Sequence, residues 1–170
     1  DQNQADWMQS FEIGGQRLVE QFHQSDPIAS ENIEALNAFL ESKLEPLFEA
    51  CDKLKPATLI GCSGTFDTLS DIYCEANGIQ KSEESTEHPF DRAAFDHIYS
   101  QLIQKDREER LAMPGMIEMR VDMIVVACVL IQFILTRLSL ENIRISAYAL
   151  KEGILFNVLD SLQAEINTPK

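Results

Sequence analysis

A mixed α/β layer structure, with a mixed sheet flanked by helices, is the fold class that the sequence predicts, and three observations predict it. Ala57-Thr58-Leu59-Ile60 is a short apolar run with β-branched members that passes at once through Gly61-Cys62-Ser63-Gly64-Thr65 into a helical pattern ending at Asn77, the signature of strand, tight loop and helix. Ile143-Arg144-Ile145 is a second strand candidate followed by renewed helical spacing. Between the two, Val121 to Leu138 is apolar nearly all round, as expected for a helix enclosed by other elements. Strands alternating with helices pack as layers around one core. A chain of 170 residues, 45% of them apolar, has room for one compact domain spanning residues 1–170.

The elements follow in order along the chain. Trp7 to Ile13 mixes aromatic and β-branched residues with polar ones and reaches Gly14-Gly15, which suits a strand ending in a turn, with partner strands upstream. Arg17 to His23 has the spacing of a short helix. After Ser25-Asp26-Pro27, apolar residues from Ile33 to Cys51 recur at three- and four-residue steps. They mark one long amphipathic helix, kinked near Lys43 to Glu45 because Pro46 lacks a backbone donor. Gly78 to Pro89 is polar, acidic and unpatterned, a surface loop. Phe90 to Glu109 reads as one helix whose charged end, Lys105 to Arg110, is solvated. A connector, Met113-Pro114-Gly115-Met116, leads into the Val121 helix. Ser146 stands where it can cap a last helix over Leu150 to Leu162, before an irregular tail.

Charge and cysteine usage narrow the function. A formal charge of −14, from 28 acidic against 14 basic residues, argues against a surface that grips nucleic acid or anionic lipid broadly, so any anion is bound locally. Cys51, Cys62, Cys74 and Cys128 show neither CxxC spacing nor a companion His-rich tract, which suggests reduced thiols in a cytoplasm rather than a zinc site or disulfide framework. His23, His88 and His97 are scattered, and surface roles are expected for them. The opening residues lack a signal peptide's basic start and apolar run. Asp122, Gln132 and Arg137 leave the Val121 to Leu138 segment short of the roughly 20 apolar residues a membrane span needs.

The chemistry-bearing feature is Gly61 to Thr68. A glycine loop feeding a helix leaves backbone N–H groups unpaired and aims a partial positive charge at its occupant, and phosphate is a natural one. The loop is neither a Walker A motif nor GxGxxG, and such turns often only connect elements.

Four segments in order carry a family resemblance. Leu59 to Leu69, with Gly61-Cys62-Ser63-Gly64-Thr65 and Thr68, resembles a G-x-G-G-T-x-T-T-L-A segment. Arg92 to Arg120, with Met113-Pro114-Gly115-Met116 and Arg120-Val121-Asp122, resembles a helix followed by L-P-G-L-x-x-x-R-A-D. Ser146 to Gly153 resembles S-x-x-G-L-R-E-G, and Phe11 to Leu18 resembles L-P-L-G-x-x-R-L. On these segments the chain resembles the C-terminal half of the exopolyphosphatase and guanosine pentaphosphate phosphohydrolase (Ppx/GppA) phosphatase family. The resemblance implies one lobe of the actin-like ATPase (ribonuclease H-like) fold, with the N-terminal part of the sheet missing from this chain. It implies a parent that releases terminal phosphate from inorganic polyphosphate or guanosine pentaphosphate with Mg2+. The family's first phosphate loop, catalytic glutamate and D-x-G-G-G-S-T loop would all lie before Asp1, in an N-terminal lobe of the same protein. This chain would line the cleft, contain no catalytic residue and be inactive alone.

The residues the resemblance points to are Gly61, Cys62, Ser63, Gly64, Thr65 and Thr68 in the loop, with Arg17 and Arg120 as phosphate-binding cations, since a guanidinium can hold two phosphate oxygens. For Arg120 the competing expectation is an ion pair with Asp122 or Glu118. For Thr65 and Thr68 it is capping of the helix, and for Cys62 it is packing. The sequence departs from the family at Ser63, Phe66, Asp67, Ala149 and Lys151. Asp67 in the helix's first turn is favoured by the helix dipole but opposes a bound phosphate. Two alternatives follow: a non-catalytic nucleotide- or polyphosphate-binding sensor module, and a homodimerisation lobe using the Phe90 to Arg110 helix.

Overall fold

The computed structural model describes residues 5–82 and 84–166. Among them a three-stranded sheet runs in the order β1-β3-β2, from β1 (Thr58–Cys62), β2 (Glu87–His88) and β3 (Asn142–Ser146). β1 and β3 are parallel, with Thr58 opposite Asn142 and Cys62 opposite Ser146. That pairing demands a long crossover. The crossover is supplied by α4 (Thr65–Asn77), α5 (Arg92–Gln104), α6 (Arg107–Leu111) and α7 (Met123–Arg137). β3 alternates as a half-buried strand should: Ile143 and Ile145 enter the core, while Arg144 turns outward and donates through Nε to Glu87 on antiparallel β2 at 2.8 Å.

α7 is the axis of the core. Ile124, Val125, Val126, Cys128 and Leu135 are fully buried, covered by α1 (Gly15–Phe22), α2 (Ser30–Lys43), α4 and α5. Burial without a partner charge pushes the Cys128 thiol far above its ordinary value, so it acts as packing. The mixed α/β layer expectation holds, and no described helix is long and apolar enough to cross a membrane.

Five local expectations are corrected. Within the Gly78 to Pro89 segment, expected to be a surface loop, Glu87–His88 forms β2 against β3. Trp7 to Ile13 forms no strand among the described residues: it runs as irregular chain, and Phe11 and Ile13 pack on the core. Its aromatic and β-branched residues bury side chains without a backbone ladder. The long helix kinked at Pro46 is two helices, α2 and α3 (Glu45–Leu54), divided at Leu44, whose φ of −101° and ψ of 9° leave the helical range. The proline sits in the first turn of α3, where its missing donor costs nothing. The Phe90 to Glu109 helix also divides, because Lys105 is extended and Asp106 starts α6 with a capping box: its carboxylate accepts from the Glu109 amide at 2.9 Å while Glu109 accepts from the Asp106 amide at 3.0 Å. Ser146 does not cap a helix. Its hydroxyl accepts from Tyr148 N–H at 3.1 Å and donates to the Tyr148 carbonyl at 2.9 Å, four residues before α8 (Leu150–Ile166) begins. The tail beyond Ile166 lies outside the described residues.

Candidate anion site at the β1–α4 loop

The parallel strands β1 and β3 end side by side, with Cys62 against Ser146, at the strand ends where α/β proteins hold ligands. The chain leaves β1 through two residues of positive φ, Ser63 at 60° and Gly64 at 52°. Gly64, with ψ −111°, is the N-cap of α4 and supplies no side-chain cap. The turn satisfies part of itself: the Phe66 amide donates to the Ser63 carbonyl at 3.1 Å, and the Thr68 amide to the Gly64 carbonyl at 3.2 Å. For the N–H groups of Ser63, Gly64, Thr65 and Asp67, no acceptor is recorded among the described residues. These are the orphan donors that a helix start leaves, with the positive end of its dipole behind them.

Two residues set the loop's shape. Phe66 lays its ring across Gly61, so that a Cβ there would overlap the ring and force it to move. Thr68 is 2% exposed and donates its hydroxyl to the Gly64 carbonyl at 3.2 Å, so it braces the loop from beneath. Thr65 is half-buried, while Cys62 and Ser63 are exposed.

Arg120 arrives from the other side. Gly115, at φ +82°, lies so close to α4 that a Cβ would sit 2.6 Å from the Asp71 carbonyl oxygen and the Ile72 nitrogen. This contact seats the connector on α4 beside the loop. Arg120 then donates its amide to the Ile117 carbonyl at 3.0 Å and accepts from the Ile124 amide at 2.9 Å, on the threshold of α7. Its guanidinium lies over Gly64: Nη2 is 3.6 Å from the place a Gly64 Cβ would occupy. Neither sequence neighbour pairs with it. Glu118 and Asp122 go to Arg107 instead, at 3.6 and 3.2 Å, and among the described residues no hydrogen bond or ion pair is recorded for the Arg120 side chain.

Arg17 is placed differently. It projects from α1 into solvent, with Nη1 3.6 Å from Glu12, and no recorded bond joins it to the loop. The structure thus brings Gly61, Cys62, Ser63, Gly64, Thr65, Thr68 and Arg120 together and leaves Arg17 in a surface pair. His23 departs from its expected surface role, since its side chain is 6% exposed and stands 3.6 Å from Asp26.

The sequence reading missed Arg110, Arg107 and Asp26. Arg110 is fully buried inside a run read as a solvated helix end. Its Nη1 donates to Asp26 Oδ1 at 2.6 Å and to the Lys105 carbonyl at 2.6 Å. Burial works against the charged form of Asp26, but hydrogen bonds from Arg110 and the Arg107 amide outweigh it and hold the carboxyl below its ordinary range. The available signal was the D-x-x-E capping pattern at Asp106 and Glu109, which marks a new helix start and so a turn inward.

The donor set at the loop is N–H groups and a guanidinium, which suits an anion. Among the described residues, no group of three or more His, Cys, Asp or Glu side chains could hold a metal ion. The described residues thus offer the family-implied magnesium no three-ligand cluster of their own.

Comparison with known proteins gives the site a context. A family model described as the Ppx/GppA phosphatase family matches residues 1–162. The chain is 41% identical to an exopolyphosphatase from Cytophaga hutchinsonii, with a TM-score of 0.88, over 95% of this chain and 52% of that one. An exopolyphosphatase-like protein is 21% identical, with a TM-score of 0.75, over 89% of this chain and 50% of that one. The Aquifex aeolicus member of the Ppx/GppA family is 21% identical, with a TM-score of 0.69, over 92% and 48%. The last two likenesses speak to the fold alone. The chain spans about half the length of the structures it matches. No curated protein matches it.

Proposed function

The chain belongs to the Ppx/GppA phosphatase family, and from that membership we propose that it forms one wall of the phosphate cleft in a phosphohydrolase. The substrate is inorganic polyphosphate or guanosine pentaphosphate, from which terminal phosphate is released. The observation that carries this reading is the meeting of amides at Ser63, Gly64 and Thr65 with the Arg120 guanidinium, which lies over Gly64, none of them having a partner among the described residues. Fixed N–H dipoles and an arginine stabilise charge on a phosphoryl group without reorganising during the reaction. In this reading the chain's residues bind and orient the phosphate chain. The water-activating base lies in the other lobe of a protein of its relatives' length, and any magnesium comes with the substrate or is held by that lobe, where it would neutralise charge on the phosphate oxygens.

α8 supports a second lobe as the partner. Leu150, Ile154, Leu155, Phe156, Val158 and Leu159 are all exposed on it, and so many large apolar side chains left in solvent mark a surface built to be covered. The four free cysteines, Cys51, Cys62, Cys74 and Cys128, fit a reducing compartment, and we place the protein in a cytoplasm.

The test is phosphate release from inorganic polyphosphate and from guanosine pentaphosphate, with magnesium, by the full polypeptide that carries this chain. Turnover should fall on the order of 100-fold in Arg120→Ala. Tight binding without turnover would favour the sensor reading. Turnover that Arg120→Ala leaves untouched would remove the site from the mechanism.

A further inference from the structure

α6 grips the connector on both sides of Arg120. Arg107 lies 3.6 Å from Glu118 and 3.2 Å from Asp122, which are two positions before and two after Arg120. Arg110 donates through Nε to the Val121 carbonyl at 3.1 Å, fixing the peptide between Val121 and Asp122. Asp26, from the segment between α1 and α2, anchors both arginines. Its Oδ2 accepts from the Arg107 amide at 2.7 Å and its Oδ1 from Arg110 Nη1 at 2.6 Å.

Two consequences follow for the mouth of the site. The backbone on which Arg120 stands is held by a side chain that is itself fully buried, so the guanidinium starts from a defined place, and less freedom is lost when it meets an anion. The two carboxylates nearest to Arg120 in sequence are already engaged by Arg107. An arginine with a free carboxylate two residues away would have an internal partner competing with any phosphate. On these grounds we propose that Arg107 and Arg110 are positioning residues for Arg120. They pin residues 118–122 and draw Glu118 and Asp122 aside, leaving the Arg120 guanidinium over Gly64 and open to a phosphate oxygen. The proposal rests on reading the β1–α4 loop as a phosphate site, but concerns residues that need not touch phosphate themselves.

The test uses the 170-residue chain and inorganic tripolyphosphate, read by NMR relaxation of the arginine Nε–H groups and by titration calorimetry. Arg107→Gln and Asp26→Asn are the variants, because both side chains are partly exposed, at 42% and 35%, and both leave the buried Arg110 in place. If one fails to fold, the other carries the comparison. In each, Arg120 Nε is expected to lose order relative to the unsubstituted chain before any ligand is added. Affinity for tripolyphosphate should fall about tenfold. The loss should vanish in an Arg120→Ala background, because coupled residues are non-additive where independent ones add. Arg107→Lys, which keeps the charge, should restore most of the affinity. Unchanged order at Arg120, or an equal loss in the Arg120→Ala background, overturns the proposal. A chain that binds no tripolyphosphate, yet loses Arg120 order in Arg107→Gln, keeps the positioning role and sinks the phosphate reading instead.

Discussion

α7 and α8 both carry large apolar side chains, yet those of one are buried and those of the other bare. Leu135 on α7 is 0% exposed and Leu155 on α8 is 58% exposed. Residue type does not separate these two leucines; position does. α7 is enclosed by α1, α2, α4 and α5, so its apolar surface is spent on the chain's own stability. α8 follows the strand that ends beside the loop, and its apolar surface is unspent. The same contrast divides the polar groups. Arg110 is bonded to Asp26, Lys105 and Val121, while for the Gly64 amide and the Arg120 guanidinium no bond is recorded among the described residues. What the body has used, the rim still offers.

The largest expected effect tests that division directly. Leu135→Ala should cost about 2–5 kcal/mol of unfolding free energy, since it removes a large side chain from a packed interior and leaves a cavity. Leu155→Ala should stay within about 0.5 kcal/mol in the same chain. Denaturant titration of both variants measures the difference. Equal losses would mean that α8 is already covered, by a second copy or by its own chain. Within a protein of its relatives' length, Leu155→Ala should become costly too.

Next comes Gly115→Ala. The new methyl would stand 2.6 Å from the α4 backbone, at a φ of +82° that side chains rarely adopt. A backbone neighbour cannot swing away, so the connector must lift. The expected cost is about 1–3 kcal/mol, together with displacement of Arg120, visible as a changed Arg120 Nε resonance. Destabilisation with that resonance unmoved would separate connector packing from the site.

A smaller effect comes with acid. The Asp26 carboxyl lies below its ordinary value in the folded protein, so its ion pair stabilises above the unfolded carboxyl's value of about 3.9 and is lost as pH falls through the lower folded value. Asp26→Asn should therefore flatten the fall of stability below about pH 4. Denaturant midpoints across that range decide it.

The elements that the sequence made legible are those whose signal is local. The apolar run at Thr58–Ile60 feeding two glycines, the spacing of α1 and the all-round apolarity of α7 each specify themselves, and Gly61, Gly64 and Arg120 meet where the motif order implied. The failures are all questions of partners. Trp7 to Ile13 has strand composition, but β1 and β2 are the sheet's edges and no described residue pairs with it. The run from Lys105 to Arg110 has the look of a solvated end, and only folding brings Asp26 within 2.6 Å of Arg110 across more than 80 positions. Arg120 and Arg17 looked alike in sequence. What separated them was that Arg107 took the acids beside one, while Glu12 remained beside the other.

The smallest predicted effect lies in the loop itself. Ser63 stands at φ +60°, in the left-handed region where a side chain costs roughly 1–2 kcal/mol relative to its preferred conformations. Glycine has no such penalty, but its greater freedom in the unfolded chain removes part of the gain. Ser63→Gly should therefore stabilise the chain by no more than about 0.5–1 kcal/mol. The sign matters more than the size. Ser63 is exposed, its hydroxyl has no recorded bond among the described residues, and its amide belongs to the unspent set. If its strain holds that amide outward, Ser63→Gly should raise stability and weaken tripolyphosphate binding together, in denaturant titration and calorimetry of the same variant. A gain in stability with unchanged binding would leave the strain at Ser63 unrelated to the open amides.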